Sequence, residues 1–206
     1  MSKIILSILL CLSINNFVNG QHFEYKSYLD SLSMHRAHYD DEFKDTASSP
    51  LLEEDRLVFE THNFYAPDTA FRVIATLDRN VNPMEFEMKT TTMRRPVYRR
   101  YAIARFHIDG VLYELEIYQN VKFIKKEKYK DYLFLPYSDL TCGNESYGGG
   151  RYLDLRTTNA DTIVIDFNFA YNPYCAYNHR YSCPIVPAFN QLNVEISAGE
   201  KAFKKH

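Results

Sequence analysis

The chain has no tryptophan, no net charge of consequence, and no stretch beyond its first 20 residues apolar enough to span a bilayer. Lys and Arg number 24 against 26 Asp and Glu, a formal net charge of −2. That balance leaves no overall electrostatic drive toward nucleic acid or an anionic membrane. Signatures that would name a mechanism are missing too. Gly148-Gly149-Gly150 is glycine-rich, yet it lacks the Walker spacing and its Lys-Ser/Thr, and no G-x-G-x-x-G opens a helix, so phosphate-loop and dinucleotide chemistry are excluded. No nucleophile-elbow sequence supports Ser-His-Asp hydrolysis. No repeat, low-complexity tract or linker divides the chain.

What is present begins with an export signal. Lys3 precedes the apolar run Ile4 to Ile14, Asn15-Asn16 interrupts it, and Val18-Asn19-Gly20 ends in small or turn-forming residues. Positive, apolar, then small is the secretory order, and the run is shorter than the roughly 20 residues a retained span needs. Residues 1–20 are therefore expected to be a signal peptide, and residues 21–206 a single periplasmic or secreted β-rich domain. About 186 residues suffice for a substantial core.

The 17 tyrosines and 14 phenylalanines suit half-buried strands with wet edges. Residues 23–43 have helical spacing instead: Tyr25, Tyr28/Leu29, Leu32, His35/Arg36, Tyr39 and Phe43 make one stripe, ended by Asp45-Thr46-Ala47-Ser48-Ser49-Pro50. His35 and His38 lie on this helix without a carboxylate-histidine signature and read as surface or packing residues. Strands are expected at Leu57–Phe59, Phe71–Leu77, Phe86–Thr92, Tyr132–Leu135, Thr162–Phe169 and Leu192–Ile196. Asp109-Gly110 marks a type I′ hairpin between Val97–Ile108 and Val111–Tyr118. Its register opposes Phe106 to Tyr113 and Arg105 to Glu114. Arg105, Glu114 and Glu116 read as a solvated sheet face, and Lys122–Lys130 as a solvated loop. The fold expected is mainly β, a twisted antiparallel sheet curled toward a barrel or sandwich, with an N-terminal amphipathic helix.

Cys11 leaves with the signal peptide, so the mature chain keeps Cys142, Cys175 and Cys183. In an oxidising compartment one pair closes, and Cys175 with Cys183 is nearest in sequence, a crosslink worth about 2–3 kcal/mol. Two alternatives stand beside it. One is a Cys3His metal site from the three cysteines and His179, although its spacings match no common zinc arrangement. The other is a nucleophilic Cys142 served by His62, His107 or His179.

Three stretches in the second half carry a resemblance. They are Pro136-Tyr137-Ser138-Asp139 leading to Tyr147-Gly148-Gly149-Gly150-Arg151-Tyr152-Leu153-Asp154, then Asp166-Phe167-Asn168-Phe169-Ala170-Tyr171-Asn172-Pro173-Tyr174-Cys175-Ala176, then Cys183-Pro184. In order and spacing from Leu135 to Gly199 the chain resembles a bacterial family known as domain of unknown function 1684. The resemblance marks these residues as motif members and implies no activity for them. Two positions depart from its pattern: Phe189 stands where an acid precedes Asn190, and Cys142 where relatives commonly have Ser.

Within this region Arg151 and Asp154 are expected to pair, as a loop brace or a substrate clamp. Two function classes follow. The first is a non-catalytic module binding a small polar or carbohydrate-like ligand or a protein partner, with Tyr147, Arg151, Tyr152, Tyr171 and Tyr177 as its binding residues. The second is a hydrolase-like enzyme whose site lies between loops 139–154 and 171–184, with Asp139, Glu145, Arg151, Asp154 and His179 converging. No cofactor, metal, nucleic-acid partner or membrane span is expected.

Overall fold

The N-terminal stripe folds as a helix, α1, over residues 24–44 of a computed structural model that describes residues 24–203. The expected signal peptide lies outside the described residues. Tyr28, Leu29, Leu32, Tyr39 and Phe43 are among the helix's less exposed positions, whereas Tyr25, at the start of the expected stripe, is 46% exposed. His35 and His38 are exposed, and His38 lies 3.4 Å from Glu42. Asp45 then caps the turn expected there, its carboxylate accepting from Ala47 N at 3.1 Å and from the Ser48 hydroxyl at 2.7 Å. The chain divides into two compact units after Glu42. The second unit holds every strand. No described helix is long and apolar enough to cross a membrane.

Seven strands build that unit's sheet: β1 Arg72–Asp78, β2 Glu85–Glu87, β3 Val97–Ile108, β4 Val111–Asn120, β5 Tyr132–Tyr137, β6 Arg151–Arg156 and β7 Thr162–Asp166. Their order is β6-β5-β4-β3-β1-β7, with β2 paired to the start of β3. Every strand pairing is antiparallel, and the sheet curls into a half-barrel. The β3–β4 hairpin has the expected turn, with φ of 50° at Asp109 and 78° at Gly110, and the expected register, including Phe106 opposite Tyr113 and Arg105 opposite Glu114. Arg105 reaches Glu114 at 2.6 Å and Asp78 at 3.0 Å, a partly exposed cluster that solvent screens.

A bulge in β3 decides how the two faces are used. Arg100 pairs with Tyr118, but Ala102 pairs with Ile117, so Tyr101 is an extra residue. One inserted residue reverses side-chain parity. Ala102, Ala104 and Phe106 consequently join the main core with Leu115, Ile117, Leu133, Leu135, Leu153 and Ile165. Tyr98, although also even-numbered, joins a second cluster with Met88, Tyr118, Phe134, Tyr152, Cys175 and Cys183. The sheet is thereby covered on both faces at its β4–β6 end.

Six expectations change. Glu116, expected on a solvated face, is buried and pairs with Arg100 at 2.5 Å. The strand from Thr162 ends at Asp166, whose carboxylate accepts from Asn168 N at 3.0 Å and turns Phe167–Phe169 into a short 3-10 helix. Leu57 and Val58 end a short helix, α2 (Glu53–Val58), and are 72% and 78% exposed. Three acids in its first turn favour a helix start, which outweighs the β propensity of the residues after them. Beyond Glu87 no strand continues: the Thr90 hydroxyl donates to the Arg94 carbonyl at 2.7 Å, closing a local loop in place of a ladder. Arg151–Arg156, absent from the expected strands, is a full strand against β5. Leu192–Ile196 is not a strand. It meets the chain beside β5 through isolated bonds, Leu192 N donating to Ser138 O at 2.8 Å and Leu140 N to Val194 O at 3.0 Å.

The C-terminal tail turns at Gly199, where φ is 77° and an added Cβ would sit 2.6 Å from the Phe167 carbonyl oxygen and 2.7 Å from that of Ala170. Gly199→Ala is expected to destabilise the fold by about 2 kcal/mol or more, since strain and collision add. Gly110→Ala, at a positive φ facing open space, is expected to cost only about 1 kcal/mol. Urea unfolding of the two variants measures the difference, and equal losses would contradict the tail's tight seat.

Candidate functional site

Arg151 opens β6 and points to the main core, where it is 0% exposed. A guanidinium sealed from water needs partners for its N–H groups; both terminal nitrogens find them, whereas Nε has none among the described residues. One Nη2 donates to Asp139 Oδ2 at 2.7 Å and to the Ile196 carbonyl at 2.8 Å. The other terminal nitrogen, Nη1, donates to the carbonyls of Ala198 and Glu200. Tyr137 and Tyr65 lie against the cation, with ring centroids 5.3 and 5.8 Å away. Asp139 is equally buried and spends its other oxygen on Thr141, accepting from the backbone N at 2.9 Å and from the hydroxyl at 2.6 Å, and on Ile196 N at 3.2 Å.

The expected Arg151–Asp154 pair is therefore replaced by Arg151–Asp139. The reason is the strand: residues three apart in β6 project to opposite faces. Asp154 stands exposed on the second face, its Oδ1 accepting from the hydroxyls of Tyr132 at 2.8 Å and Tyr171 at 2.6 Å. Burial, then the Asp154 charge, pushes the Tyr132 phenol far above its ordinary range. Glu145 and His179 are both exposed. The five groups a hydrolytic site would need are thus split between a sealed core, the opposite sheet face and two separate loops.

The tyrosines are divided likewise. Tyr152 is buried and donates to the Pro184 carbonyl. Tyr171 is half-buried, with its ring edge against Tyr152 at 5.9 Å. Tyr147 is half-buried 3.8 Å from Cys175 Sγ, and burial lifts its phenol to about 12. Tyr177 is buried and donates to Glu200 Oε1.

Sequence reasoning missed two residues of this region. Glu200 is buried with no cation on its carboxylate among the described salt bridges, held by the Tyr177 hydroxyl and by Asn172 N at 2.8 Å. Asn190 is fully buried and repairs the β4–β5 seam, where strand pairing is confined to Tyr118 opposite Phe134. Its amide accepts from Glu116 N at 2.8 Å and donates to the carbonyls of Glu116 at 2.9 Å and Pro136 at 2.7 Å. The Asn that follows the departing position Phe189 was the available signal. Phe189 itself is 44% exposed.

The three described cysteines are thiols here. Cys175 and Cys183 sit together, Cys175 N donating to Cys183 Sγ at 3.2 Å. The Cys183 thiol lowers Cys175 to about 7 and is itself pushed up. Cys142 stands apart, its sulfur accepting from Asp139 N at 3.4 Å and from the Ser146 hydroxyl at 3.7 Å. No cluster of three or more His, Cys, Asp or Glu suited to a metal occurs among the described residues.

Fold and motif together define a half-barrel β-protein whose signature residues brace its own backbone. The chain belongs to the family described as protein of unknown function (DUF1684), which matches residues 58–201. The match reaches well upstream of the motif-bearing half, taking in β1 through β4. An uncharacterized protein of Haloarcula marismortui, solved by solution NMR, is similar at 31% identity and a TM-score of 0.69, over 89% of this chain and 98% of that one. Among curated proteins none matches.

Burial raises Glu200 from 4.5 to about 7, against the opposing hydrogen bonds from Tyr177 and Asn172. A carboxyl whose folded pKa is raised contributes stability that is complete below its unfolded pKa and lost as pH rises through the folded value. The stability difference between wild type and Glu200→Gln is expected to shrink by up to about 3 kcal/mol from pH 4.5 to 8. Denaturant midpoints across that range read it. A difference independent of pH would contradict a neutral buried Glu200.

Proposed function

We propose that this chain is a non-catalytic binding module of the periplasm or cell exterior, with a small polar, carbohydrate-like molecule as its ligand. One observation carries the reading: Asp139 and Arg151, the polar groups at the centre of the motif, are sealed in the core and matched to internal partners. A catalytic acid or base needs access to a reacting atom. Asp154 faces the other side of the sheet, and Glu145 and His179 are not brought to it by any bond in the structure. Of the tyrosines at the β4–β6 end, Tyr118, Tyr137 and Tyr152 are buried, and the half-buried Tyr132 and Tyr171 beside the exposed Asp154 are the ones that suit binding, because a phenol offers an apolar face and a polar edge.

Export extends the proposal. Residues 1–20 would direct the chain outward, and there Cys175 and Cys183 would close a structural disulfide within the second cluster, leaving Cys142 as a thiol. Both parts are testable on protein recovered from its native host. Intact mass is expected to rise by two hydrogen masses on reduction and to lack the leader; an unchanged mass, or a retained leader, argues against export. For the function, thermal-shift screening against sugars, nucleotides and metals is run beside ester and glycoside turnover assays. Stabilisation by a saccharide without turnover is the expected result. Turnover abolished by Glu145→Gln or His179→Ala would overturn it in favour of the hydrolase-like reading.

A further inference from the structure

Two stretches without a single acid meet at one edge of the second cluster. Residues 88–108 and 167–194 contain no Asp or Glu. Their loops are stitched together: Thr91 N donates to Cys183 O and Ile185 N to Lys89 O, both at 2.9 Å. The Thr92 and Ser182 hydroxyls add a contact at 2.6 Å. The junction exposes Lys89, Arg94, Arg95 and Arg180. None of the four is within 4.0 Å of a carboxylate among the described residues, whereas Arg72, Arg79, Arg100, Arg105, Arg151 and Arg156 all are.

Three of these side chains are also held in place. Arg94 donates through Nε to the Ser182 hydroxyl at 3.0 Å and through Nη2 to the Ser182 carbonyl at 2.5 Å. Arg95 donates through Nη1 to the carbonyls of Thr92 at 2.7 Å and Arg94 at 2.9 Å. Arg180 donates through Nη2 to the Tyr181 hydroxyl at 2.8 Å and lies over the Tyr181 ring at 4.9 Å. Each guanidinium is pinned on one side by neutral acceptors, so its positive charge is oriented yet not neutralised. A planar guanidinium already ordered loses little freedom on gripping an oxyanion with its remaining N–H groups.

We propose that Lys89, Arg94, Arg95 and Arg180 form a binding surface for the acid groups, carboxylate or sulfate, of an acidic saccharide. The proposal rests on the binding-module reading and supplies its ligand class. The saccharide follows from what surrounds the charges. Tyr174, 42% exposed and edge-on to Tyr181 at 5.2 Å, offers beside them an apolar ring on which a sugar face can rest.

The test measures binding of the full chain to oligogalacturonate, dextran sulfate, neutral dextran and inorganic phosphate at low and physiological salt. Arg95→Ser/Arg180→Ser is compared with Lys125→Ser/Lys126→Ser, which removes the same charge from the loop between β4 and β5. Arg94 is left in place because it braces Ser182, and circular dichroism confirms that both variants fold. Expected is salt-sensitive binding to one or both acidic polymers, weakened about tenfold or more by the arginine pair and little by the lysine pair. Equal loss in both variants would overturn the proposal as diffuse charge attraction, and so would a preference for phosphate. Failure to bind either acidic polymer also overturns it. Neutral dextran bound equally by all forms would overturn this surface while leaving the binding-module reading standing.

Discussion

A fully buried guanidinium organises the second half of this protein. Taking Arg151 into the core costs several kcal/mol of hydration, which close pairing of its two terminal nitrogens offsets. The partners are drawn from three places: Asp139 after β5, Tyr137 within it, and the carbonyls of Ile196, Ala198 and Glu200 in the C-terminal tail. The tail has no strand of its own to satisfy these carbonyls. Arg151 acts in place of one. Its requirement for an anion in turn fixes Asp139, whose second oxygen orders the turn at Thr141 and reaches back to Ile196 N.

The same principle recurs wherever the ladder stops. Asn190 supplies amide groups where β4 and β5 part, and Asn168 joins the loop before β1 through Asp68, accepting from its N at 2.9 Å and donating to its O at 2.7 Å. Buried backbone groups need partners, and irregular chain finds them in side chains. Asn172 likewise donates its side-chain amide to the Lys201 carbonyl at 2.8 Å, so the motif residues Asp139, Arg151, Asn168 and Asn172 all satisfy backbone groups. The acid-free junction of Lys89, Arg94, Arg95 and Arg180 presents the opposite condition: its three arginines are held in place, and no carboxylate lies within 4.0 Å of the four among the described residues.

Local rules carried much of this into the sequence. Asp109-Gly110 demanded positive φ, and alternation from Ala102 to Ile117 set the hairpin register. The spacing of Tyr28, Leu32, Tyr39 and Phe43 marked the helix. Legibility ended where a single residue changed parity or a distant partner decided. Nothing local signals the extra residue Tyr101, yet it sends Tyr98 and Ala102 to opposite faces. The pairing of Arg151 with Asp139 depends on β5 and β6 lying side by side, which spacing along the chain does not encode. Glu200 becomes a buried carboxyl only because the tail turns at Gly199 beneath Tyr177. The alternation of Leu192–Ile196 matched a strand because the segment is half-buried, although two isolated backbone bonds and the side chains of Asp139 and Arg151, not a continuous ladder, take its bonds.

The central claim is that the motif's charged pair is framework. A double-mutant cycle on Asp139→Asn and Arg151→Met, followed by urea unfolding, tests it most directly. Each single change is expected to cost about 3–5 kcal/mol, because each strands a buried partner, with the double variant losing far less than the sum. Single variants as stable as the wild type, with ligand binding or turnover lost instead, would contradict the account and return Asp139 and Arg151 to a functional site.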